Sequence, residues 1–95
     1  RMSVTAMVMI KAQPSRSAAL AAEIAEVKGV SEVFSVAGRF DLVAIVRAQR
    51  NEDLADIVSG SIHSLPGIVE SETLIAFRVY TKRELTEGTA LFMDE

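Results

Sequence analysis

The sequence predicts an α+β sandwich, a four-stranded antiparallel sheet with two helices on one face, in the order β-α-β-β-α-β. Three observations lead there. Four short stretches carry the alternating or continuous apolar pattern of strands. Two stretches between them carry apolar residues at helical spacing. A glycine followed by an aliphatic residue marks the passage from each helix to the next strand, in VKGVSEV (27–33) and LPGIVES (65–71). Gly29 and Gly67 lie 38 positions apart, which matches two copies of one βαβ unit. Right-handed crossovers in both units put the first and third strands at the centre of the sheet.

Val4 to Lys11 reads as the first strand, with Val4, Ala6, Val8 and Ile10 on one face and Thr5, Met7 and Met9 on the other. Both faces are largely apolar, so each needs a cover. Pro14 and Ser15 open the first helix, Ser15 as its N-cap. Leu20, Ile24 and Val27 form its apolar stripe, and Gly29 ends it. In the second strand, Val30 to Ala37, the alternation groups Val30, Phe34 and Val36 with Glu32, against Ser31, Val33, Ser35 and Ala37. The run Leu42 to Val46 is continuously apolar, the pattern of a central strand covered on both faces, and its strand reaches about Arg47. Asn51 is expected to cap the second helix, with Glu52 and Asp53 favoured by the helix dipole in its first turn. Leu54, Ile57, Val58 and Ile62 form its apolar face; Gly60 inside it either permits close approach to the sheet or does nothing. Leu65-Pro66-Gly67 stops it, and a long fourth strand runs from Ile68 to Tyr80. Residues 2–80 thus form one domain, with Met2 taken as the start and Arg1 left aside. Residues 81–95 form a tail whose Leu91-Phe92-Met93 is expected to dock on the body or on a neighbour.

The chain has 95 residues, of which 49% are apolar. A chain of this length buries only about 60–65% of its unfolded surface. That much apolar side chain needs a second place to be buried, and a subunit interface supplies one. The net charge is −3, with 13 acidic residues against 10 scattered basic ones, which disfavours nucleic acid as a direct partner. No cysteine is present, which fits a cytoplasmic setting and removes thiol chemistry. No apolar run reaches the ~18 residues of a membrane span.

Catalytic signals are weak. His63 is the single histidine and reads as a surface residue in the last turn of the second helix. Glu70 and Glu72 share one strand face and read as solvated carboxylates. The sequence shows neither a metal-ligand cluster nor a phosphate-cradling glycine loop, so no cofactor is implied.

The connection before the third strand is the richest short stretch. Gly38, Arg39, Phe40 and Asp41 combine a glycine, a cation, an exposed-looking aromatic and a carboxylate in a turn that needs only one special residue. Asp41 as a local cap of turn N–H groups is one reading. A ligand site is the other, because a carboxylate and free backbone groups suit an α-amino acid head group.

With these elements in place, GVSEVFSVAGRFDLVAIV, then a helix, then LPGIVESETLIAFRVY, resembles the effector-binding (RAM) domain of the Lrp/AsnC family of regulators. The likeness runs from Val4 to about Tyr80. It implies a ferredoxin-like βαββαβ domain that dimerises through its sheets, dimers assembling into octameric or decameric rings. It also implies a small effector, usually an amino acid, bound between neighbouring dimers. The Gly-x-x-Asp turn lines that site in the family; Gly38 and Asp41 match it, Arg39 and Phe40 fill its variable places, and Ser71 and Thr73 hold the hydroxyl positions of the last strand. The helix-turn-helix domain of full-length members has no counterpart in this stretch. The expectation is therefore a stand-alone sensor acting on transcription of amino acid metabolism through a partner, such as a full-length relative, without contacting DNA itself. Two alternatives share the fold: an assembly module without ligand, and a small monooxygenase-type enzyme, for which polar or aromatic cavity residues would be required.

Overall fold

The computed structural model describes residues 3–82. Strand β1 spans Val4–Ala12, helix α1 spans Ser17–Ala25, β2 spans Val30–Ser35, β3 spans Leu42–Ala48 and β4 spans Ile68–Ala76. The second helix, α2, is α-helical over Asn51–Ala55 and π-helical over Asp56–Ile62. The sheet order is β2-β3-β1-β4 with all neighbours antiparallel, so the first and third strands are central as expected.

Alternation along the central strands builds the core. Ala6, Val8 and Ile10 of β1 and Leu42, Ala44 and Val46 of β3 face the helices and are buried. Leu20 and Ile24 of α1 and Leu54, Val58 and Ile62 of α2 close over them. Each fully buried aliphatic side chain contributes about 1.5–3 kcal/mol relative to exposure. The passages at Gly29 and Gly67 repeat in geometry, with φ of 101° and 102°. That left-handed conformation suits glycine alone among common residues, and at Gly29 an added Cβ would lie 2.5 Å from Ile57 Cδ1.

Several details depart from the sequence expectation. Ser15 does not cap α1: Pro14 to Arg16 form a 3₁₀ turn, closed by Arg16 N–H donating to the Gln13 carbonyl at 2.8 Å, and the helix starts after it. Asn51 is already helical; Arg50 holds the cap position in extended conformation, with no side-chain cap. Its guanidinium instead pairs with Asp53 at 3.3 Å. In β2 a bulge between Val30 and Glu32 shifts the register against β3. Val30 and Val33 therefore both pack on the core, which simple alternation does not allow. Among the described residues, no other element comes within 4 Å of where a Cβ on Gly60 would stand, so it marks no close approach to the sheet. β4 ends at Ala76 rather than Tyr80, because its neighbour β1 ends there, Thr5 being paired with Ala76. The expected docking of Leu91-Phe92-Met93 lies outside the described residues. Among those described, no helix is long and apolar enough to cross a membrane.

Candidate functional site

The β2–β3 turn is built on Gly38, whose φ of +135° disfavours other residues on conformation rather than crowding, since no described residue lies within 4 Å of its would-be Cβ. Its backbone therefore borders open space. Asp41 locks the turn in place. Its carbonyl accepts Val36 N–H at 2.9 Å, its own N–H donates to the Ile10 carbonyl at 2.8 Å, and its Oδ2 accepts Ala12 N–H at 2.8 Å. Asp41 is thus a cap, but for the end of β1 rather than for the turn alone. Phe40 is not exposed: the residue is 8% accessible, with the Arg39 guanidinium 4.5 Å from its ring centre. Arg39 itself is exposed and reaches Glu72 of β4 at 3.3 Å.

Glu70 and Glu72 lie on the sheet face away from the helices, opposite Lys11 and Met9 of β1. Ser71 and Thr73 point the other way, opposite Ile10 and Val8, beneath α2. Ser71 Oγ and His63 Nε2 share a hydrogen bond at 2.8 Å, the donor depending on the imidazole tautomer. The π-helical geometry delivers His63 to this spot, its N–H donating to the Val58 carbonyl five residues back at 3.0 Å. His63 is therefore engaged with β4, not merely a dipole partner at a helix end.

Between α2 and β4 opens a cleft of about 560 Å³. Leu54, Ala55, Val58 and Ile75 form its apolar walls, Asn51, Ser59, His63 and Thr73 supply polar groups, and Phe77 stands at one side. The sequence reading named Thr73 but not the rest of this lining as a site. No turn residue lines the cleft, so Gly38–Asp41 and Thr73 do not meet within one chain. A second cleft, about 590 Å³, lies between the passage at Gly29 and α2 and carries charges of both signs: Lys28, Arg47, Asp53 and Asp56. Among the described residues no three His, Asp or Glu side chains are grouped to hold a metal.

The chain is thus a ferredoxin-like sandwich with a ligand-sized cleft between its second helix and an edge strand. The sequence profile of the Lrp/AsnC ligand binding domain matches residues 5–86, and the chain belongs to that family. It is 32% identical over 87 residues to an uncharacterised HTH-type transcriptional regulator of Pyrococcus horikoshii, covering 88% of this chain and 57% of that one. The chain thus spans little more than half the length of the curated relatives it matches. Among solved structures, a protein of Thermus thermophilus superposes with a TM-score of 0.79 at 47% identity, over 83% of this chain and 99% of that one. A transcriptional regulator of Neisseria meningitidis, solved in complex with L-Met, shares the fold with a TM-score of 0.72 at 13% identity, over 83% of this chain and 54% of that one.

Proposed function

We propose that this chain is an oligomeric sensor of a small effector, an amino acid, and that it conveys effector occupancy to transcription through a protein partner. The observation that carries this reading is the α2–β4 cleft. Its volume of about 560 Å³ suits a small molecule, and it combines apolar walls with a few convergent polar groups. The family supports it by description as a ligand-binding domain, the relatives by being transcriptional regulators. The neighbour from Neisseria meningitidis supports an amino acid, since a protein of this fold holds L-Met.

The Gly38–Asp41 turn belongs to the same site when it is supplied by a neighbouring copy. In this reading the open backbone at Gly38 meets the effector's head group, and Asp41 holds that backbone in position. Ser71 and Thr73 contribute hydroxyls from β4, with Arg39 at the rim. Assembly is supported by the sheet face left uncovered by the described residues, where Met7, Met9, Val43 and Ile45 are only half-buried and Phe34 and Leu74 are exposed. A second copy packed there forms the dimer, and a ring of dimers brings turn to cleft. The net charge of −3 favours action through a protein partner over direct contact with DNA.

A thermal-shift screen of the chain against the twenty amino acids tests the reading. Ligand at 100 times its Kd stabilises the native state by about 2.7 kcal/mol, a readily measured rise in Tm. A shift with a subset of amino acids is expected. No shift with any at millimolar concentration would overturn the amino-acid reading.

A further inference from the structure

Resting on the reading that an amino acid binds in the α2–β4 cleft, we propose that the cleft is the side-chain pocket and that it selects an uncharged, apolar side chain: branched aliphatic, thioether or aromatic. Among the described residues, the cleft lining contains no Asp, Glu, Lys or Arg. Its walls are Leu54, Val58 and Ile75, and its polar groups are neutral hydroxyls, an amide and one imidazole. The imidazole of His63 is engaged with Ser71 at 2.8 Å. A charged side chain entering here loses hydration and meets no counter-ion among the described residues, so it is disfavoured.

The contrast with the rest of the surface sharpens the point. The second cleft carries Lys28, Arg47, Asp53 and Asp56, and the turn carries Arg39 paired with Glu72. Among the described residues, charge is therefore present on the domain and missing between α2 and β4. That partition places the charged head group of the effector against a neighbour's turn and its side chain in the cleft. Phe77, 99% accessible on this single chain, adds an aromatic surface beside the apolar walls. The cleft is larger than any one amino acid side chain, so selection acts on polarity more than on size.

Titration calorimetry with leucine, methionine, phenylalanine, aspartate, glutamate, lysine and arginine tests this on the chain and on Ser59→Asp. Ser59 is exposed at the cleft wall, so the variant is expected to fold; its far-UV circular dichroism confirms that before titration. The apolar amino acids should bind within about tenfold of one another and at least about tenfold more tightly than the charged ones. Ser59→Asp should weaken the apolar ligands about tenfold and improve lysine or arginine. Equal or tighter binding of charged amino acids by the unmodified chain would overturn the selectivity while leaving the effector reading intact. Unchanged apolar binding in Ser59→Asp would move the side chain out of this cleft and overturn the inference. Absence of binding by all seven would overturn it too, and failure of the remaining thirteen in the thermal screen would remove the effector reading with it.

Discussion

The two faces of the central strands are made of alternate residues of the same segments, yet they end up in different surroundings. On the helix side Ala6, Val8, Ile10, Leu42, Ala44 and Val46 are at most 1% accessible. On the other side Met7, Met9, Val43 and Ile45, side chains of the same apolar class, stay half-buried. Around them Phe34 and Leu74 remain 47% and 42% accessible. Composition does not distinguish the faces; cover does. The two helices account for one face, and nothing among the described residues covers the other. An apolar sheet face of this kind is normally buried by another layer. The difference fits the proposed assembly, in which the excess of apolar residues serves association as well as the fold.

Substitutions that act on one face and spare the other put this contrast to work. The largest loss is expected for Ile10→Ala, fully buried under the helices: about 2–5 kcal/mol of stability by denaturant unfolding, whatever the protein concentration. A change on the other face should behave differently. Ile45→Glu places a carboxylate between Met7 and Glu32 in the sheet register, and it should convert an oligomer to monomer in light scattering while the helix-side core stays intact. If Ile45→Glu left the mass unchanged, the open face would not be the interface. At the end of the sheet, Asp41→Ala removes the acceptor for Ala12 N–H and should cost about 1.5 kcal/mol, visible as a lower urea midpoint. The smallest effect belongs to Arg39→Ala, whose exposed pair with Glu72 should change stability by less than about 0.5 kcal/mol. A larger loss there would mean that the turn is held through Arg39 rather than through Asp41.

How much of this was legible beforehand follows from what each feature depends on. Strand and helix order and the central position of β1 and β3 follow from alternation, helical spacing and crossover handedness, all local or topological properties. The faces of β1 were read correctly for the same reason. The faces of β2 were not, because the one-residue bulge before Glu32 reverses alternation without a sequence mark. Phe40 looked exposed because a turn has no periodicity from which burial can be read; its ring nonetheless packs inward under Arg39. The π-helical stretch of α2 was equally hidden, and with it the meeting of His63 and Ser71. The one available hint was the tight Leu65-Pro66-Gly67 reversal, which brings residues on either side of it together. Gly38, Asp41 and Thr73 were singled out as residues, but Asp41 has a structural task that composition could not show. Its hydrogen bond to β1 also makes it a poor probe of binding, since Asp41→Ala perturbs the fold and the site together.

Thr73 is the better probe, lining the cleft without holding any element in place among the contacts described. The most direct measurement is therefore the Kd of the tightest-binding amino acid for the chain and for Thr73→Ala, at a protein concentration where both have the same mass. The α2–β4 site predicts about three- to tenfold weaker binding in the variant, the size of one lost wall contact. An identical Kd in both proteins would contradict it and put the effector elsewhere on the domain.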